Sequence, residues 1–212
     1  MGGNSLKQIR IKNNLQQASM EFGLVKFSQE LQSKGIEHFV FFGTLLGLTR
    51  ESKPIAGDDD VDFYVSDSGY DAVRALLISL GFELDFSKYP NNTRHLIQAY
   101  GILENIEIRV DFYFFDATTD KNFLLERWNF LAQPNNQNAL LKVPKPLVYP
   151  IEKKLFLGQN IAMPKHPEIL CEFLYGVNWK TPKKKRIDYQ ITIVGGRPLR
   201  MLAKDGGMKI ID

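Results

Sequence analysis

Five consecutive positions, Asp58-Asp59-Asp60-Val61-Asp62, carry four carboxylates and run straight into the apolar stretch Phe63-Tyr64-Val65. Strand alternation over Asp60 to Val65 points the side chains of Asp60 and Asp62 to one face, with Cα atoms ~6.7 Å apart, while Val61 and Phe63 turn to the core. Two carboxylates at that separation can both reach one cation. Without it, like charges ~4 Å apart repel by about 1 kcal/mol in water and about 4 kcal/mol at an effective dielectric of 20, so stability alone does not gather them. Oxygen ligands of this kind suit Mg²⁺ or Mn²⁺, held by one or two carboxylates with water and substrate phosphates in the remaining positions. The plainer alternative for Asp-Asp-Asp alone is an acidic turn standing in solvent ahead of a strand.

Two further segments bear on that choice. His38 to Phe42 is a short apolar, aromatic run of strand type, and Gly43-Thr44 followed by Leu45, Leu46, Gly47 and Leu48 suits a turn opening into a short helix. Backbone N–H groups and the helix dipole at such a turn make a phosphate-binding arrangement, with Gly43 permitting close approach, although a plain strand-to-helix glycine reads the same way. Asp111 lies inside Ile108 to Phe115, a strand so apolar that a lone carboxylate is costly unless paired, metal-bound or turned to a solvated face. If that strand neighbours the Asp60 strand, three carboxylates converge. Arg94 and His95, at a strand start beside a polar loop, could contact a phosphate or simply end the strand in solvent.

Along the rest of the chain, Leu15, Ala18, Phe22 and Val25, with Met20, Leu24, Phe27 and Leu31, recur at helical steps and predict an amphipathic helix from about residue 8 to 34, ended by Gly35. Ser66, Asp67 or Ser68 could cap a helix carrying Val73, Leu76, Leu77 and Leu80, which stops at Gly81. Phe82 to Phe86 reads as a marginal strand and Lys88 to Thr93 as a polar loop. Arg94 to Tyr100 and Ile106 to Phe115 read as an antiparallel pair joined through Gly101. Phe123 to Leu131 predicts a helix and Gln133 to Asn138 a loop. The proline-punctuated stretch Val143 to Pro164 predicts short edge strands with a hairpin at Gly158-Gln159-Asn160, and Pro167 to Tyr175 a helix closed by Gly176. The fold class expected is α+β, or mixed α/β, around a twisted sheet.

Composition narrows the function classes. At 212 residues, 44% hydrophobic and 24% charged, the chain is a globular one that buries roughly 70% of its unfolded surface in one core. A single domain over residues 1–182 with a basic tail over 183–212 is expected. Cys171 is the lone cysteine, so no internal disulfide forms, and with only His38, His95 and His166 beside it no zinc-ligand cluster assembles. No apolar run reaches the ~18 residues of a membrane span, and the N-terminus lacks a signal-peptide stretch, so a cytoplasmic setting is expected. The net charge of +3 comes from 27 basic and 24 acidic side chains, and without Lys183, Lys184, Lys185 and Arg186 the acids outnumber the bases by one. That near-neutral body argues against a nucleic-acid footprint. The basic run itself is a solvated face or a contact with an anionic membrane surface, at ~1 kcal/mol per residue. His38 reads as a packing or edge residue, and Tyr175 and Trp179 as core or as a platform for a ring.

Phe42-Gly43-Thr44-Leu45-Leu46-Gly47 with Arg50 three positions on, then Asp58-Asp59-Asp60-Val61-Asp62, then Val110-Asp111-Phe112, together resemble the nucleotidyltransferase superfamily and, within it, the LicD/fukutin group. Leu174-Tyr175-Gly176 followed by Trp179 and Pro182 is similar to that group's closing pattern. The resemblance implies a nucleotidyltransferase-like twisted mixed sheet flanked by helices. It implies Asp60 and Asp62 as ligands of Mg²⁺ or Mn²⁺, Asp111 as a third carboxylate, and Gly43 and Thr44 as the phosphate turn. Asp58 joins the substrate-binding set, and Arg50 would neutralise a donor phosphate. The implied activity moves a phospho-alcohol, such as phosphocholine or a polyol phosphate, from a CDP-linked donor to a sugar hydroxyl of a glycan or lipid-linked acceptor, leaving CMP. The alternatives are NMP transfer from an NTP with pyrophosphate release, and a non-catalytic nucleotide-binding domain. The chain departs from the group at Ala56-Gly57, where proline and an aromatic are common, and has no counterpart of the zinc-binding insertion of some eukaryotic members.

Overall fold

The computed structural model describes residues 3–85, 96–126, 141–183, 190–193, 197–201 and 208–210. Helix α1 spans Gly3–Ser33. Of its apolar positions, Met20, Leu24, Phe27 and Leu31 turn inward at four- and three-residue steps, whereas Leu15 is 68% exposed. Gly35, at φ +65°, ends the segment: its N–H donates to Gln32 O and the Ile36 N–H to Leu31 O, both at 3.0 Å. This closure requires a left-handed residue and so favours glycine.

Strand β1 (His38–Val40) is shorter than the expected His38 to Phe42, because the chain turns at Phe41 and enters helix α2 (Phe42–Arg50). Strand β2 (Val61–Ser66) leads through a single 3-10 turn over Asp67–Gly69 into helix α3 (Tyr70–Ser79) and strand β3 (Glu83–Asp85). None of Ser66, Asp67 and Ser68 caps α3, since the 3-10 turn intervenes and the Ser66 and Ser68 hydroxyls bond each other at 3.0 Å.

Strands β4 (Leu96–Leu103) and β5 (Ile106–Asp116) are antiparallel, with Leu103 opposite Ile106. Their turn is not at Gly101 but at Glu104-Asn105, both at positive φ (+51° and +65°), the two-residue form whose twist matches the flanking strands. Gly101 lies inside β4, where a Cβ would stand 2.6 Å from the Phe82 ring.

Phe123–Glu126 is a strand, β6, and not the start of a helix. It pairs with β5 at Phe115 and Asp116, beyond the end of β4, and with strand β7 (Leu141–Pro144), so ladder bonds on both edges outweigh the local helical pattern. Residues 127–131 of that expected helix, and the loops Lys88 to Thr93 and Gln133 to Asn138, lie outside the described residues. Helix α4 (Lys145–Val148), strands β8 (Glu152–Phe156) and β9 (Gln159–Met163), and helix α5 (Pro167–Tyr175), closed by Gly176, follow. The β8–β9 turn is Leu157-Gly158, both at positive φ, one residue ahead of the expected hairpin. In the tail, strands β10 (Gln190–Ile193), β11 (Arg197–Met201) and β12 (Met208–Ile210) make a small antiparallel sheet, with β10 lying against α5. Lys184, Lys185 and Arg186 lie outside the described residues.

The main sheet runs in the order β1-β2-β5-β4-β3, with β6 and β7 continuing from the end of β5. Only β2 and β5 pair in parallel among the described strands. One face of the sheet packs on α1 through Phe27, whose ring meets Phe112 and Phe82 edge-on at 5.6 and 5.4 Å. Gly23 allows close approach of α1, since a Cβ there would lie 2.9 Å from Ile108 Cγ2. The opposite face carries Phe39, Tyr64 and Phe115 in mutual ring contact, and α2 lies against β2 on one side and α5 on the other. Tyr175 and Trp179 are buried core residues. No helix among the described residues is long and apolar enough to cross a membrane.

His38 is buried, with Nδ1 2.7 Å from Ile36 O and its ring edge-on to Phe63 at 6.0 Å. Burial lowers its pKa below the ordinary histidine value. The unfolded chain therefore takes up a proton that the folded one refuses, and the stability present at neutral pH is lost as pH falls through the folded pKa. Urea unfolding at about pH 7.5 and about pH 5 should show a smaller loss of stability for His38→Phe than for the parent protein. Equal losses would show that His38 contributes nothing to the acid sensitivity.

Candidate active site

The parallel register of β2 and β5 sets Asp62 directly beside Asp111, and the antiparallel register of β4 and β5 sets Gln98 on the other side of Asp111. Because side chains on neighbouring paired residues share a face, the three form one row across three strands. Asp60, two residues ahead of Asp62, falls on the same face. Carboxylate oxygens of Asp60, Asp62 and Asp111 lie within 4.8 Å of one another, with Asp62 and Asp111 buried (3% and 5% exposed). At such separations each ionised pair repels by about 3.5 kcal/mol or more at an effective dielectric of 20.

The opening of α2 stands over this row. Phe42 adopts φ +36°, a conformation worth about 1–3 kcal/mol of strain in a non-glycine residue. Its ring is gripped between Phe41 (4.5 Å) and Tyr113 (4.8 Å), which holds the turn in place. The turn aims two backbone donors at one carboxylate: the Gly43 N–H donates to Asp62 Oδ2 at 2.8 Å and the Thr44 N–H to the same oxygen at 3.4 Å. Thr44 Oγ1 in return accepts the Asp62 N–H at 2.9 Å. The donors expected to cradle a phosphate are thus on Asp62, where the helix dipole also favours a negative charge. Gly43 leaves room for both carboxylates, because a Cβ there would stand 2.6 Å from Asp58 Oδ2 and 3.2 Å from Asp62 Oδ2, so that the Asp58 side chain would have to move. Gly47, one turn on, lets the chain pass under α2, since a Cβ would meet Lys53 O at 2.7 Å.

Asp111 has partners of another kind. Its Oδ2 accepts from Gln98 Nε2 at 2.7 Å and from the Tyr113 hydroxyl at 3.3 Å. Further out, exposed Asp59 pairs with Arg109 at 2.8 Å, and the Arg109 guanidinium lies 5.9 Å from the Tyr100 ring centre. Arg50 occupies the last turn of α2, two helical turns from Gly43 and on the same helix face, with its guanidinium 2.7 Å from Glu51. Arg94 and His95 lie outside the described residues. Cys171, behind α2, has its thiol pushed up to about 12 chiefly by burial, so it packs as a neutral side chain and supplies no thiolate.

The structure therefore brings together Asp58, Asp60, Asp62, Asp111, Gly43 and Thr44. Gln98 and Tyr113 join them without having been singled out in the sequence. Tyr113 was recoverable, being two residues from Asp111 and so on its face, whereas Gln98 shows in the sequence only as a polar residue in an apolar run, and its place beside Asp111 comes from the β4–β5 register. The donor set consists of hard oxygens, two of the three carboxylates are buried, and their spacing is within reach of one ion. It fits Mg²⁺ or Mn²⁺, with Asp60, Asp62 and Asp111 as the residues that would hold it.

A family model described as "LicD/FKTN/FKRP, nucleotidyltransferase domain" matches residues 35–166, a span that includes α2, the acidic run and Asp111. No curated protein matches the chain. Among solved structures, the lincosamide antibiotic adenylyltransferase LnuA, lincomycin-bound, is similar with 10% identity and a TM-score of 0.43, covering 65% of this chain and 75% of that one. An antigenic nucleotidyltransferase-like protein from Paracoccidioides brasiliensis is similar with 16% identity and a TM-score of 0.40, covering 68% of this chain and 59% of that one.

Gly43→Ala tests the close approach at the head of α2. The added methyl group must displace the Asp58 and Asp62 carboxylates, so Mn²⁺ affinity should fall by about tenfold or more while the protein stays folded. Mn²⁺ titration alongside thermal melting separates the two effects, and an unchanged affinity would show that the carboxylates yield at no expense.

Proposed function

The chain belongs to the LicD/FKTN/FKRP nucleotidyltransferase-domain family, and we propose that it moves a phospho-alcohol of phosphocholine or polyol phosphate type from a CDP-linked donor to a sugar hydroxyl, releasing CMP. The family supports a phosphotransferase or nucleotidyltransferase role. The donor, the glycan or lipid-linked acceptor and the metal dependence are the proposal's own content. The observation that supports it is the convergence of Asp60, Asp62 and Asp111 at the opening of α2.

In this reading the acceptor hydroxyl attacks the phosphorus that bears the alcohol, the bond to the bridging pyrophosphate oxygen breaks, and CMP departs with the electron pair. A bound Mg²⁺ or Mn²⁺ supplies charge neutralisation at the donor pyrophosphate. Asp60 and Asp62 hold the cation, and the Gly43 N–H keeps the Asp62 carboxylate turned into the site. Asp111, oriented by Gln98 and Tyr113, completes the ligand set or takes the proton of the attacking hydroxyl.

Incubation with Mg²⁺ and a panel of CDP-alcohols and NTPs, followed by mass spectrometry, tests the reading. CMP release from a CDP-alcohol is expected. Pyrophosphate release from an NTP would replace the proposal with NMP transfer, and turnover of neither would leave a nucleotide-binding domain. Asp60→Asn, Asp62→Asn and Asp111→Asn should each lower turnover by about a hundredfold or more without unfolding the protein. Near-normal turnover in one of them removes that residue from the mechanism.

A further inference from the structure

Gln98 is a polar residue in a strand whose neighbours Leu96, Ile97 and Ala99 are all buried, and its amide is placed with its two ends in different situations. Nε2 donates to Asp111 Oδ2 at 2.7 Å. Oε1 is buried and has no hydrogen-bond partner among the described residues. A buried acceptor left in that state costs about 1–3 kcal/mol, so a residue retained only for packing would not carry it. The amide cannot be turned to relieve the carbonyl, because that would set Oε1 against the Asp111 carboxylate and lose the charge-assisted bond. The carbonyl oxygen lies within about 5 Å of Asp111 Oδ2, given the ~2.2 Å between the oxygen and nitrogen of one amide and the 2.7 Å bond beyond it. It therefore belongs to the surroundings of the acidic centre.

The bond also decides how Asp111 is presented. Gln98 and the Tyr113 hydroxyl both donate to Oδ2, which restrains the carboxylate beside Asp60 and Asp62. Tyr113 contributes the longer contact, at 3.3 Å, and its ring is committed to Phe42. The 2.7 Å bond from Gln98 is the stronger restraint.

We propose that Gln98 is a positioning residue of the acidic centre: its amide N–H locks the Asp111 carboxylate in place for a divalent cation, and its buried carbonyl oxygen goes without a partner among the described residues so that this bond can be made. The inference rests on the reading of Asp60, Asp62 and Asp111 as a cation site, and it adds a residue that touches neither substrate nor cation. Partners of this kind around metal-bound carboxylates change metal affinity by about 10–100-fold when removed.

The test is a Mn²⁺ titration followed by electron paramagnetic resonance on the full chain, for the parent protein, Asp111→Asn, Gln98→Met and Gln98→Asn. Gln98→Met keeps the side-chain length and removes both the donor and the acceptor. Gln98→Asn keeps the amide but draws it back by one methylene, out of reach of Asp111, and remains available if the Met variant does not fold. Each folded Gln98 variant should bind Mn²⁺ about 10–100-fold more weakly. Water-proton relaxation on the saturated variants should rise, because a carboxylate that swings away is replaced on the ion by exchanging water. A role in packing alone would move the melting temperature and leave the relaxation of bound Mn²⁺ unchanged. Parent-like affinity in a folded Gln98 variant, with Asp111→Asn impaired, overturns this inference and leaves the cation site standing. Absence of Mn²⁺ binding by the folded parent protein overturns the cation site and the inference with it.

Discussion

The parallel pairing of β2 with β5 is the constraint on which the rest depends. Every residue of β2 is buried, so both faces of the strand are committed: Phe63 stacks on Phe112 toward α1, and Tyr64 stacks on Phe41 on the other side. A slip of one residue would exchange the two faces and drive carboxylates into the aromatic layer under α1. The hydrophobic interlock therefore holds Asp62 beside Asp111 against their mutual repulsion. The packing of about a dozen large apolar side chains supplies the force, and the acidic row is where some of it is used.

The carboxylates are stabilised by unlike means, and this divides their roles. Asp62 takes backbone N–H groups from the first turn of a helix, which cannot rearrange without unwinding α2. Asp111 takes side-chain donors from two strands, and Asp59 takes a guanidinium at the solvent edge. The restraints thus grade outward, from backbone donors at the buried end to an exposed ion pair at the rim. Such a gradient suits a site that keeps its inner geometry constant while larger groups enter and leave at the edge.

Much of this was legible in the sequence because each device has a local signature. The Asp60-Val61-Asp62 alternation, the Gly43-Thr44 turn and the burial of Asp111 in an apolar run each point to one place. Glycines at 35, 81 and 176 mark three helix ends correctly. What failed did so for non-local reasons. Phe123 to Glu126 is drawn into a ladder by β5 and β7, a pairing invisible to a short window. Gly101 looked like a turn but is needed for the ring of Phe82, a contact made across the fold. Gln98 gains its significance only from the register that puts it opposite Asp111.

That register originates far from the site. The β4–β5 hairpin is closed by Glu104-Asn105, and from there each rung is counted back to Gln98 and Asp111, six residues and roughly 20 Å away at ~3.4 Å per residue. Inserting or deleting one residue in the turn would re-pair the strands and put Gln98 and Asp111 on opposite sides of the sheet. The solvent-exposed turn is thus an indexing mark for the buried chemistry. Its length is under the same constraint as the carboxylates, while the side chains standing on it are open to change.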